Sequence, residues 1–451
     1  MTGAKIAIFG LARSGLSVAK AAIALGATPT VVDEKAEESL KSRAILDGAR
    51  QIGAEVRLGW DEEFGKEFDF VVTSPGVPAN HPRLQGAVKN GIPVLSEVEF
   101  AYRISKAPIV AITGTNGKST TTVMTYQCVL ATGRQAILCG NIFGSGYKEV
   151  PLTDAALTAS DGDVLVAEIS SFQLEWVSTF RPIAAAITNI TPDHFDRHAT
   201  IEEYAEAKQR IFSAQESSDY AVIPASDPLI KPPTKPHVLT FGREGKDAQV
   251  TDNEILFGDK RMALEELPFI GEHNYLNASV AVLLASAVVA RATGKHFAID
   301  DNAIQGLKDF KGIAHRMEVV GEKKGIRVIN NSMCTNPAAV ISSSQAVKAP
   351  QHLLLGGSNK RLDFAPLQNY LEKSHNKAYL FGRDAEALNA QLGGGYPVFR
   401  TMAEAFQDAV RNANAGEVIM LAPGCASMDQ FRDFEDRGNV FRTMAKEWLE
   451  S

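Results

Sequence analysis

Short β-branched or apolar runs alternate with longer helix-periodic segments along most of the chain, the pattern of parallel strands joined by crossover helices. The first such unit has a strand at 5–9, a glycine-bearing turn, a helix at 16–25 and a strand at 29–32 closed by Asp33. Further strands are predicted at 70–73, stopping at Ser74-Pro75-Gly76, and at 92–95, followed by a helix reaching Arg103. A second block opens with a strand at 108–113 and continues through buried strands at 164–169 and 184–189. The proline-rich stretch 224–236 reads as a surface loop inside this block. A helix at 276–292 closes it, and the apolar run 278–290 within it is too short to span a bilayer and reads as buried. A third block carries strands at 327–330, 352–355, 378–381 and 417–421. The expected fold is α/β in three domains: a Rossmann-like domain over 1–105, a central parallel-sheet domain over 106–312 and a second Rossmann-like domain over 313–451.

Length and composition agree with this division. A chain of 451 residues, 45% hydrophobic and 22% charged, buries several cores without needing disulfides or structural metals. Its net charge of −7 argues against a broad nucleic-acid face. Cys128, Cys139, Cys334 and Cys425 are far apart and form no Cys-x-x-Cys pair, which argues against a zinc or redox motif and suits a reducing compartment. Residues 1–5 lead straight into the first strand with no signal-like apolar region, so a cytoplasmic protein without a membrane partner is expected.

Two turns carry candidate chemistry. Gly10-Leu-Ala-Arg-Ser-Gly15 lies between a strand and a helix, where a dinucleotide fingerprint would lie, but Ala12 replaces its middle glycine. Such a turn aims backbone N–H groups at phosphate; equally, it can serve only to pack helix on sheet. The stronger signal is Gly114-Thr115-Asn116-Gly117-Lys118-Ser119-Thr120, which follows a β-branched strand and opens a helix. Its backbone N–H groups suit phosphate oxygens, Lys118 supplies a point charge, and Ser119 or Thr120 offers Mg²⁺ a hydroxyl. Ile112 stands where the usual phosphate loop has its first glycine. Glu168 at one strand end and His194 just past another are candidate metal ligands. A solvated acid and a structural histidine are the plain alternatives, and hard Mg²⁺ prefers oxygen.

Gly114-Thr-Asn-Gly-Lys-Ser-Thr, Glu168-Ile-Ser-Ser-Phe-Gln-Leu-Glu175, Asp193-His-Phe-Asp-Arg197, Gly271-Glu-His-Asn274 with Asn277, His315-Arg316 and Pro423-Gly-Cys-Ala-Ser-Met-Asp-Gln-Phe431 together resemble the Mur ligase family, most closely its D-glutamate-adding branch. The resemblance runs in order through all three blocks. It implies an N-terminal UDP-holding domain, a central ATPase domain and a C-terminal amino-acid domain, with ATP and Mg²⁺ as cofactors. The implied reactants are a UDP-linked muramoyl-alanine and D-glutamate, joined by a monomeric enzyme. Arg13, Ser14, Asp33, Glu34, Lys35, Ser74, Pro75 and Gly76 match UDP contacts, while Asn141, Ser170 and His194 match positions around muramoyl-alanine. Lys118, Ser119, Glu168 and His194 match the phosphate and metal site, and Lys208 matches a lysine that the family carbamylates. Asn274, Asn277 and Arg316 match nucleotide contacts; Thr335, Lys360, Ser427 and Phe434 match the amino-acid pocket.

The chain departs from the family at Asn330-Asn331-Ser332-Met333-Cys334-Thr335-Asn336, where an acid and a lysine are both missing. A lost ion pair, altered nucleotide contacts and altered amino-acid choice all fit. A relative adding another amino acid such as L-glutamate, or a folylpolyglutamate-type ligase, is the nearest alternative. A nicotinamide oxidoreductase leaves the phosphate loop unexplained. Lys118, Glu168, His194 and Lys208 oppose a non-catalytic nucleotide binder.

Overall fold

The computed structural model describes every residue except Lys41, Asp196, Lys360 and Arg361. Three sheets follow one another along the chain. The first is wholly parallel, in the spatial order Glu55–Leu58, Thr28–Asp33, Lys5–Phe9, Phe70–Thr73, Val94–Ser96. Its chain order reverses at Lys5–Phe9, so the crevice that open α/β sheets use for ligands opens beyond Phe9, Asp33 and Thr73.

The ten-stranded second sheet has Ile109–Thr113 near its middle, flanked by Asp163–Glu168 and Ala184–Ile187, with Gln135–Gly140 next to Asp163–Glu168. Ile109–Thr113 is buried throughout, as a central parallel strand must be. The far edge changes character: Ala248–Val250, Glu254–Phe257 and Lys260–Ala263 form an antiparallel meander. The sequence reading did not single out Glu55–Leu58, Gln135–Gly140, Tyr220–Pro224 or His237–Gly242. Two of these lack the continuous apolar run of a central strand: Glu55–Leu58 alternates polar and apolar residues, and His237–Gly242 mixes them, its buried positions alternating with partly exposed ones.

The third sheet orders Glu318–Lys323, Ile326–Asn330, Val418–Gly424, Gln351–Gly356, Lys377–Phe381 and Val398–Phe399, antiparallel only at its first pair. Val418–Gly424 runs three residues beyond the predicted end at 421, because Pro423 and Gly424 remain buried in the strand.

By compactness the chain forms two units. The first two sheets share one, spanning 1–143, 147–267 and 273–310; the third sheet, with 144–146, 268–272 and 311–451, forms the other. Within the first unit the helix Glu97–Ile104 packs on the helix Leu152–Thr158. There the fully buried Glu97 carboxylate accepts from the Thr153 N–H at 2.9 Å and its hydroxyl at 2.7 Å. The helix Glu272–Thr293 is long and apolar enough to cross a membrane, but 72% of its apolar window is buried inside the protein. All four cysteines are buried, and burial raises every one of their thiol pKa values, those of Cys334 and Cys425 to about 12.

Candidate active site

The crevice of the first sheet is ordered by its own side chains. Asp33 accepts from the N–H of Leu11 at 2.8 Å and of Lys35 at 2.9 Å, so its carboxylate fixes the turn. Ser74 donates to the Gly10 carbonyl at 2.8 Å. A side chain at Gly15 would collide with that carbonyl, which keeps the helix start close to the strand. Glu34 is paired with Arg83 and, at 3.2 Å, with His81. The helix Arg13–Ala24 begins without a side-chain cap, leaving first-turn N–H groups for a ligand at the positive end of its dipole. Arg13, Ser14, Asp33, Glu34, Lys35, Ser74, Pro75 and Gly76 thus gather at one set of strand ends.

The phosphate loop of the second sheet is clamped by the segment 188–191. Asn189 accepts from the Asn116 N–H at 3.0 Å and returns its amide to the Asn116 carbonyl at 3.0 Å. Thr188 donates to that same carbonyl at 2.7 Å, and Thr115 exchanges hydrogen bonds with Thr191 at 3.0 and 3.2 Å. The residue before the helix Lys118–Ala131 is Gly117 at φ 81°, where a side chain would collide with Asn277. Asn277 also accepts from Thr121 at 3.1 Å, joining the helix Glu272–Thr293, which also carries Asn274, to the loop.

Two lysines converge on this loop. Lys118 donates to the carbonyls of Gly114 at 3.0 Å and Thr115 at 2.8 Å, while Lys208 reaches the same Gly114 carbonyl at 2.7 Å. Lys208 is 1% exposed, and its ammonium lies 4.4 Å from the centre of the Tyr204 ring. Burial lowers its pKa to about 7, the Lys118 charge pushing the same way against Asp193 and Glu168. The sequence placed this lysine on a helix; its burial comes from the tertiary packing.

Glu168 is buried at its strand end, with the Asn141 amide 3.5 Å away. Ser170 is held by Gln173, whose side-chain oxygen accepts its N–H at 2.9 Å and hydroxyl at 3.1 Å; Gln173 in turn donates to Glu97 at 3.3 Å. His194 takes a left-handed φ of 54° and is half-exposed, its ring 4.9 Å from Phe172. The neighbouring Arg197 donates to Glu175 at 2.6 and 2.9 Å and to the Val77 carbonyl at 2.8 Å. The described residues contain no cluster of three His, Cys, Asp or Glu suited to a metal. A hard cation here would draw on Glu168 and a loop hydroxyl, with further oxygens from phosphate, donors that fit Mg²⁺.

In the second compact unit, a buried arginine ties together segments that carry the expected amino-acid contacts. Arg437, fully buried, donates to the hydroxyl of Ser332 at 3.0 Å, its carbonyl at 2.8 Å and the Cys425 carbonyl at 3.1 Å. Ser332 donates to the Phe434 carbonyl at 2.7 Å. These bonds bring together the segments carrying Thr335, Ser427 and Phe434; Lys360 lies outside the described residues. A buried cation with carbonyl acceptors is a tertiary feature; in sequence Arg437 shows only as part of the stretch Phe434-Glu-Asp-Arg-Gly438, with nothing to mark its burial.

The unusual loop has a definite geometry. Asn331 accepts from the Met317 N–H at 3.2 Å, and the Arg316 guanidinium meets the Met333 sulfur at 2.8 Å. A lysine at 333 would put a second cation against Arg316, which an acid at 331 could offset. Met333→Lys alone should therefore lower activity or stability, and Asn331→Asp with Met333→Lys should recover most of the loss. A double-mutant cycle should give a coupling of about 1 kcal/mol. Simple additivity of the two changes would refute this pairing.

Comparison with known proteins gives these sites a family. Residues 4–96 match the Mur ligase MurD-like N-terminal domain, 112–285 the Mur ligase middle domain and 315–425 the Mur ligase glutamate ligase domain. The chain belongs to the Mur ligase family, whose members are ATP-dependent ligases that form amide bonds. Curated relatives named UDP-N-acetylmuramoylalanine–D-glutamate ligase include one from Thermoanaerobacter pseudethanolicus, 38% identical over 99% of both chains. Another, from Salmonella typhi, is 34% identical over 98% of both. Among solved structures, the UDP-N-acetylmuramate-alanine ligase MurC of Thermotoga maritima aligns with a TM-score of 0.58 at 16% identity, covering 98% of this chain and 99% of that one. The MurF ligase of Thermotoga maritima in complex with ADP gives 0.59 at 18% identity, covering 93% and 95%. These two likenesses bear on the fold alone.

Proposed function

We propose that this enzyme adds D-glutamate to UDP-N-acetylmuramoyl-L-alanine with ATP, a step of peptidoglycan precursor synthesis. The observation that carries the reading is the convergence of Lys118 and Lys208 on the Gly114 carbonyl at the centre of the second sheet, beside the buried Glu168. That arrangement suits the meeting of two anions, a carboxylate and the γ-phosphoryl group of ATP. The loop N–H groups and Lys118 hold the phosphate oxygens while the substrate carboxylate takes the phosphoryl group, giving an acyl phosphate and ADP. The neutral amine of D-glutamate then attacks the acyl carbon, and inorganic phosphate leaves as the amide forms. Mg²⁺, with Ser119, Glu168, His194 and Lys208 as its proposed ligand residues, would supply neutralising charge at the phosphoryl group.

Lys208 serves this chemistry best as a carbamate. Its neutral amine adds CO₂ and releases a proton, turning a cation into an oxygen donor of the kind Mg²⁺ favours. Arg13, Ser14, Asp33 to Lys35 and Ser74 to Gly76 are the proposed UDP contacts; Asn141 and Ser170 face muramoyl-alanine; Asn274, Asn277 and Arg316 serve ATP. Thr335, Lys360, Ser427 and Phe434 receive the amino acid. The domain limits 1–105, 106–312 and 313–451 divide these tasks. The reactants of this reading are soluble small molecules, and we propose a cytoplasmic enzyme that acts as a monomer, with no nucleic-acid or membrane partner.

Phosphate release measured with UDP-N-acetylmuramoyl-L-alanine and a panel of amino acids tests the assignment. D-Glutamate should give the highest kcat/KM. A higher value for L-glutamate or any other amino acid would transfer the protein to another specificity.

A further inference from the structure

Phe143 is a large apolar residue left 57% exposed, where phenylalanine would ordinarily be buried. The Arg13 guanidinium lies over its ring, 5.4 Å from the centre, and reaches the Ile142 carbonyl at 3.5 Å. Two residues earlier, the Asn141 N–H donates to the Glu168 carbonyl at 2.8 Å. The segment 141–143 therefore runs from the proposed phosphoryl-transfer site to the proposed diphosphate site. Three consecutive residues leave at most about 7 Å between their end Cα atoms, the scale of one sugar ring with its substituents.

The substrate proposed above has the same order. Its diphosphate is bonded to a hexopyranose, and the hexopyranose bears the arm that ends in the reacting carboxylate. With the diphosphate at Arg13 and the carboxylate near Glu168 and Asn141, the hexopyranose falls beside Phe143. We infer that Phe143 is a substrate-binding residue whose ring stacks against the hexopyranose of the UDP-linked substrate. The C–H groups on one face of a pyranose are apolar and carry slight positive charge; the face of an aromatic ring is apolar and negative. Contact removes apolar area of both from water. Arg13 fixes the ring by a cation–π contact and keeps its charge for the phosphates.

This inference rests on the functional reading above, and equilibrium binding to the full-length protein separates the two. The probes are UDP-N-acetylmuramoyl-L-alanine and UDP alone. Phe143→Ala should weaken the sugar nucleotide about tenfold and change UDP by less than about twofold, while Phe143→Tyr should bind both as the parent does. Phe143→Leu, which keeps apolar bulk without the ring, should weaken the sugar nucleotide less than Phe143→Ala but still severalfold, with UDP unchanged, and covers the case in which the alanine variant does not fold. Equal weakening of both ligands would show that the ring only holds Arg13, and no weakening of either would show that it touches nothing; both overturn the inference. A parent protein that binds neither ligand would instead overturn the functional reading.

Discussion

Replacing Lys118 by alanine should lower the rate of ADP formation about a thousandfold, roughly 4 kcal/mol of barrier, in a protein that still folds. The magnitude follows from what this amine does and what no neighbour can replace. A carboxylate and a triphosphate repel as they approach, and Lys118 is the loop's own cation. It already touches the carbonyls of Gly114 and Thr115, so it is positioned before any ligand arrives. Its removal has a second effect, because its charge helps hold the Lys208 amine at about pKa 7. Without it Lys208 stays protonated to higher pH and forms less carbamate. The Lys118 and Lys208 changes should therefore be non-additive. Single-turnover conversion of ATP in the Lys118→Ala protein is the measurement; near-normal ligation would eliminate the mechanism.

Lys208→Ala should be inactive, with a loss on the order of a hundredfold or more, yet partly recoverable with a small carboxylate such as acetate. Truncating this buried side chain leaves a gap lined by Tyr204 and the Gly114 carbonyl, into which a carboxylate can bring the oxygen that the carbamate supplied. Recovery should rise with acetate concentration and be absent in Lys118→Ala. The parent enzyme should also respond to bicarbonate. Because burial lowers the Lys208 pKa to about 7, its amine is mostly neutral at pH 8 and mostly protonated at pH 6. Carbamate formation consumes the neutral amine and releases a proton, so it is favoured as pH rises through 7. Full activity in Lys208→Ala, together with a parent enzyme indifferent to bicarbonate, would dismiss the carbamate.

What the sequence disclosed about these sites was what lies close along the chain. The phosphate loop announces itself because strand, glycines, lysine and helix start must be contiguous to work, and Glu168 does so because it ends a run of buried apolar residues. The three-sheet α/β architecture was likewise legible from its central strands; Glu55–Leu58 and His237–Gly242, which lack a continuous apolar run, were not. Contacts between distant segments stayed hidden. Nothing near Lys208 in the chain distinguishes it from an exposed helix lysine. Asn189 and Thr188 clamp the phosphate loop from more than seventy residues away, and Arg437 reaches Ser332 across a hundred and five. Each is a polar group placed by tertiary packing, and polar residues near strand and helix ends are too common to single out by type alone.

The four buried cysteines have a practical corollary. Alkylating and disulfide-forming reagents attack thiolates, and burial both shields these sulfurs and keeps them protonated at neutral pH. A single cysteine introduced at an exposed position would thus be the preferred target of a maleimide dye in the otherwise native chain. Site-specific fluorophores could be attached without first deleting any natural thiol.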